Sequence, residues 1–248
     1  MRIGAAALVA AGLTLPPCTA LAERDVSAIF EDRADAGAYS GDWPIWSRMR
    51  LEITRRGGSA EAIFRGHLST TWQVDADEGG FFLGNRPEVA DVNGDGKPEV
   101  VVIQHVPSSG WRMAAYLPPG TELGILGEAV FAEGVDQAVL LGVIDPGGDD
   151  GALIGVVVRE KGASRLLIYS FQDNAPGALG PYPGYGAGPA GSAPRVRVCR
   201  DQRAFLVANA ADGTVTAIGR RGESAELRLW NSTLPATEAG FAKAASCD

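Results

Sequence analysis

Histidine, cysteine and methionine are scarce in this 248-residue chain, at two, three and three residues, and aromatic side chains make up only 7%. Neither His67 nor His105 belongs to an H-x-x-x-H pair or adjoins a cysteine, so a zinc site is not expected. His67 near Ser69 and His105 near Ser108 are neighbours in sequence alone, and the G-x-S-x-G elbow is missing. Nucleophilic catalysis is therefore not expected either, and each histidine reads as a strand residue with an ordinary hydrogen bond. Positive charge is also in short supply: 22 Lys and Arg stand against 30 Asp and Glu, a formal net charge of −8. Nucleic-acid binding requires clustered cations that neutralise phosphates, which argues against that class of partner. The pairs Arg55-Arg56 and Arg220-Arg221 sit beside glycines and read as solvated turn charges. Beyond residue 22 no run approaches the roughly 18 apolar residues of a spanning helix, so the chain is expected not to span a membrane.

Against these shortages, 46% of residues are apolar and 21% charged, enough for an ordinary core. Glycine (33) and proline (15) are abundant, which favours many short elements joined by tight turns over long helices. Residues 1–22 read as a cleaved signal peptide: Arg2 is the positive n-region, Ile3 to Leu15 the apolar run, and Ala20-Leu21-Ala22 the cleavage site. The run is too short for a membrane anchor, and Pro16 and Pro17 stand where lipidation of Cys18 would need small, flexible residues. The expected product is a single domain over 23–248, exported to the periplasm or secreted. Its two cysteines, Cys199 and Cys247, suggest one disulfide in an oxidising compartment, the alternative being two free or buried thiols. Cys247 lies in a polar tail with no packing role of its own.

The body shows apolar runs of four to eight residues bounded by Gly, Pro, Asp or Asn, a strand signature. Expected strands are Met49–Ile53, Glu61–Phe64, Val100–Gln104, Arg112–Tyr116, Ala138–Ile144, Leu153–Val158, Arg165–Phe171, Arg195–Cys199, Ala204–Ala208, Thr214–Ile218 and Glu226–Trp230. Acidic turns near Asp91, Asp145 and Asp201 each precede a pair of strands, at intervals of 54 and 56 residues. A period of that length matches one propeller blade or a similar stacked unit. The expected fold is all-β, a small propeller-like array of about four or five antiparallel units of three or four strands. Residues 174–194, NAPGALGPYPGYGAGPAGSAP, read as an exposed loop carrying Tyr182 and Tyr185.

The sharpest motif is Asp91-Val92-Asn93-Gly94-Asp95-Gly96-Lys97-Pro98-Glu99. Oxygen-bearing side chains fall at positions 1, 3, 5 and 9, position 7 offers a backbone carbonyl, and Gly96 permits a sharp turn. Such alternation suits calcium, which takes six to eight hard oxygen ligands. The loop begins like an EF-hand, but position 12 is Val102 instead of glutamate, and Pro98 with the following valines favours a strand over a helix. The alternative is a plain hairpin with solvated acids.

These residues, with Phe82-Leu83-Gly84 and Val89-Ala90 before them, resemble the FG-GAP/VCBS repeats, integrin-α-like propeller repeats with the loop D-x-[DN]-x-D-G-x-x-[DE] between two strands. The likeness covers residues 82–105, with a degenerate copy at 138–158. It implies that Asp91, Asn93, Asp95 and Glu99 are side-chain ligands and Lys97 a backbone ligand of one calcium. The second loop, Asp145 to Gly151, has Gly147 and Leu153 at positions 3 and 9 and is expected to bind weakly or not at all.

The expected function is a non-catalytic, calcium-binding repeat module meeting a protein or glycan partner. Two alternatives stay open: a periplasmic saccharide hydrolase using two facing carboxylates, and a scaffold fragment whose open sheet edge completes another chain. Trp43, Trp46, Trp72, Trp111 and Trp230 are read as core anchors before sugar platforms.

Overall fold

A computed structural model describes residues 23–34, 39, 41–56, 68–76, 79–117, 124–145, 152–172, 174–200, 202–221 and 226–247. The signal segment 1–22, the expected strand Glu61–Phe64, His67 and Asp201 lie outside them. The described strands are β1 (Glu23–Arg33), β2 (Ile45–Arg56), β3 (Leu68–Asp75), β4 (Phe81–Ala90), β5 (Glu99–Val106), β6 (Gly110–Leu117), β7 (Gly124–Val130) and β8 (Val135–Ile144). They continue with β9 (Leu153–Glu160), β10 (Ala163–Gln172), β11 (Ala175–Pro183), β12 (Tyr185–Gly186), β13 (Val196–Cys199), β14 (Gln202–Asn209), β15 (Thr214–Arg221) and β16 (Arg228–Pro235). A described helix, α1 (Glu238–Ala245), follows.

Among the described residues the fold is all-β, in three antiparallel sheets, none of them closed. The first has seven strands in the order β1-β2-β4-β5-β6-β7, with β3 also on β2; the second runs β11-β10-β9-β8; the third runs β12-β14-β15-β16, with β13 on β14. Three sheets of seven, four and five strands thus stand where four or five smaller units were expected. The difference lies in the first sheet, where two groups of strands fuse through only two residue pairs, Ile45↔Leu83 and Trp46↔Phe82. Beside that seam β4 bulges between Leu83 and Glu88, with Gly84 at φ +126°. The Gly84 amide donates to Pro44 O at 3.0 Å, and Trp46 Nε1 donates to Gly84 O at 2.8 Å.

The continuous apolar runs mark strands buried on both faces. In β5, Val101 and Ile103 enter a core shared by all three sheets, while Val100 and Val102 point into a second core with Met49, Leu51 and Phe82. The shared core adds Leu141, Ile154 and Ile168 from the second sheet and Phe205, Val207 and Ile218 from the third. Second and third sheets pack tightly at two glycines: a Cβ on Gly155 would lie 2.5 Å from the Phe205 ring, and one on Gly142 2.7 Å from Val196. Each tryptophan packs on a core, with Trp43 and Trp111 buried in the shared one.

Two expectations are corrected. Residues 174–194 are not wholly loop, because Ala175–Pro183 pairs with β10 from Arg165↔Pro183 to Gln172↔Ala175. Pro176, Pro181 and Pro183 cannot donate to a ladder, yet β11 is an edge strand and needs donors on one side only. Cys247 does not end a packing-free tail, since α1 precedes it with Phe241 fully buried and Thr237 Oγ1 capping Gly240 N at 3.2 Å. Cys199 and Cys247 are joined as a disulfide with Cα atoms 5.5 Å apart.

Candidate metal centre

The 91–99 segment joins β4 to β5, and Ala90 stands opposite Glu99 across the ladder, making a hairpin. Two features shape the loop. Gly94 and Gly96 sit at φ +78° and +79°, where a side chain would be strained. Val92, fully buried in the shared core, plugs the loop onto the sheets.

The loop amides turn inward onto its acids. Asp91 Oδ1 accepts from Gly94 N at 2.7 Å and Asp95 N at 3.1 Å, and Asp91 Oδ2 accepts from Gly96 N at 2.7 Å. Asn93 Oδ1 accepts from Asp95 N at 3.1 Å. Asp95 Oδ1 accepts from Lys97 N at 2.8 Å, and Lys97 Nζ lies 3.2 Å from Asp95 Oδ2. Glu99 differs from these exposed or half-buried neighbours because it is fully buried. Its Oε2 accepts from Val92 N at 3.0 Å, while its Oε1 is buried without a hydrogen-bond partner. Burial, followed by the nearby charges of Asp95 and Asp91, pushes the Glu99 carboxyl up to about 7.

Hard oxygens from Asp91, Asn93, Asp95 and Glu99, with the Lys97 carbonyl, are chemically a calcium donor set. Among the described residues no three His, Cys, Asp or Glu side chains converge closely enough to hold an ion. Carboxylates repel at such range unless a cation lies between them. Of the second loop, Asp145 is described, its carbonyl accepting from Arg203 Nη1 and its carboxylate 3.7 Å from that guanidinium. Residues 146–151 lie outside the described residues.

Spacing in the sequence did not reveal Val92 as a plug or Asn174 as a neighbour. Asn174, in the β10–β11 turn at φ +63°, accepts from Asn93 Nδ2 at 3.0 Å across 81 positions. An apolar residue between two ligand positions was the one available hint for Val92. Asn174 left none.

His105 sits among aromatic rings. Its ring stacks on Phe81 at 5.0 Å and meets Trp111 edge-on at 5.1 Å, and its Nδ1 is buried without the ordinary hydrogen bond expected of it. Burial holds the imidazole below its usual value of 6.5. The folded protein therefore carries neutral His105 where the unfolded chain takes up a proton, so this contribution is present above about pH 6.5 and fades as pH falls. Urea midpoints should drop on acidification more in the wild type than in His105→Gln. Equal drops would remove His105 as a source of the acid sensitivity.

Comparison with models of protein families finds no match. Comparison with curated proteins finds none either. Among the described residues no helix is long and apolar enough to cross a membrane.

Proposed function

We propose that this chain is an exported, non-catalytic module of the FG-GAP/VCBS kind, with a small propeller-like arrangement of its β-units. It holds one structural calcium in the 91–99 loop and presents its loops to a protein or glycan partner. The observation that carries the reading is the buried Glu99 carboxylate, whose Oε1 has no partner although Asp91 and Asp95 stand close enough to raise its proton affinity. A buried charge without a partner is costly, and a cation at this point removes the cost. Side-chain oxygens of Asp91, Asn93, Asp95 and Glu99 and the Lys97 carbonyl would hold the ion, which offsets most of the charge of the three acids and stiffens the turn. The Val92 plug and the Asn93–Asn174 bond then extend that stiffness to the junction of the first and second sheets.

Thermal unfolding in EDTA and in about 2 mM calcium tests the reading. With a dissociation constant of ~0.1 mM, linkage supplies about 2 kcal/mol, a rise of roughly 4–7 °C for a chain this size. Asp95→Ala should abolish the rise. Glu99→Gln should also abolish it while raising the midpoint in EDTA, because a neutral amide replaces a buried charge. A wild-type protein indifferent to calcium would reduce the loop to a turn.

A further inference from the structure

Between the outer face of the third sheet and α1 lies a cavity of about 140 Å³. Its floor is apolar: Leu206 and Val215 are buried, with Ala217 beside them, and Trp230 forms part of the wall. Two cations, Arg197 of β13 and Lys243 of α1, line the same space. Several described arginines have a carboxylate partner, among them Arg48, Arg50, Arg112, Arg165 and Arg203. Among the described residues, neither Arg197 nor Lys243 makes an ion pair. Arg197 Nε donates only to Cys199 Sγ, at 3.2 Å, which leaves the guanidinium's terminal N–H groups for another acceptor. Asn231, also lining the cavity, uses its Oδ1 to accept from Thr216 Oγ1 at 3.3 Å, so its amide hydrogens are available to donate.

We propose that this cavity is a binding site for a small carboxylate with a compact apolar body, of the size of one aromatic ring or a short branched chain. Three features select that class. An apolar floor rejects phosphate and other fully hydrated anions. The volume is close to the roughly 150 Å³ of a protein cavity that takes up benzene, so the apolar floor accommodates one ring or a short branched chain. The Arg197 fork, the Lys243 ammonium and the Asn231 amide supply donors matched to one planar carboxylate. The site is independent of the calcium loop, which lies on another sheet. The Cys199–Cys247 bond beside it tethers the end of α1 and so holds the roof in place.

Titration calorimetry of the protein with benzoate, benzyl alcohol and inorganic phosphate tests the assignment. Benzoate should bind saturably with a dissociation constant of about 1 mM or tighter, the range open to a ligand of this size. Benzyl alcohol, of the same shape without charge, should bind about tenfold more weakly, and phosphate should give no saturable heat. Arg197→Met and Lys243→Met should each weaken benzoate about tenfold. Ala217→Leu, which fills the floor, should abolish binding, with circular dichroism checking that each variant folds. Benzyl alcohol binding as well as benzoate would overturn the proposal. So would benzoate binding untouched by Ala217→Leu or by both cation variants, or no saturable benzoate binding.

Discussion

Replacing Arg195 with methionine is expected to lower stability by about 3–5 kcal/mol, an effect centred on the stretch of residues 187–194. That stretch, rich in glycine and proline, builds no ladder of its own and leaves its carbonyls in need of donors. Arg195 supplies them: Nε reaches Ala187 O at 3.0 Å, Nη1 reaches Ala193 O at 2.9 Å, and Nη2 reaches Pro189 O at 2.7 Å. Its charge is balanced by Glu238 at 3.4 Å, and its guanidinium lies 3.9 Å above the ring of the buried Phe241. The side chain is only 4% exposed. Methionine fills much of the same volume but donates nothing, which orphans three carbonyls and leaves Glu238 with the Ala193 amide but no cation. The thermal midpoint should fall by roughly 10 °C. Lysine should recover only part of the loss, since one ammonium cannot span the acceptors that a planar fork reaches. A methionine variant within about 1 kcal/mol of wild type would show that water satisfies those carbonyls instead.

Removing the disulfide with Cys199→Ser and Cys247→Ser together should cost about 4 kcal/mol in the loop-entropy account, given a sequence separation of 48. The structural reason is that α1 has eight residues, too few to persist unaided. It stays on the third sheet through the Phe241 anchor, the Glu238 contact with Arg195, the Thr237 cap and the disulfide. Two of these act on the same helix from opposite ends. Combining Arg195→Met with the double serine variant should therefore cost less than the two losses added, because a helix already released cannot be released again. Urea denaturation of the four proteins measures the coupling. Strict additivity would mean that the two devices hold separate parts of the molecule.

The strands that sequence patterning found are those with unbroken apolar runs, such as Val100–Gln104 and Leu153–Val158, which sit at the centre of the sheets. Those it missed are mostly edge or two-sided strands. In β7, Ile125 and Val130 face solvent, and in β11 three prolines disguise the pairing. A strand that needs only one neighbour tolerates residues that a window-based reading counts against it. The helix escaped notice for a related reason. Its sequence, EAGFAKAA, carries one large apolar residue, and the docking of Phe241 rather than any 3.6-residue stripe keeps it in place.

In the candidate metal loop the residue types were legible, because alternate oxygens and turn glycines are neighbours along the chain. The burial of Glu99 was not, because it depends on how the sheets close over the first residue of β5.

The chain thus encodes locally whatever acts within a few residues: the all-β class, the places where it turns, the oxygen spacing of residues 91–99. Those preferences come from backbone sterics and side-chain period, which a short window contains. Packing assigned the remainder. Phe205 settling over Gly155, Asn174 meeting Asn93, Asn85 reaching Gly191 O across 106 positions, and Arg195 gathering three carbonyls all join different elements. Such contacts exist only after the three sheets have buried a common core, since that burial brings distant residues within reach and strips away the water that would otherwise satisfy them.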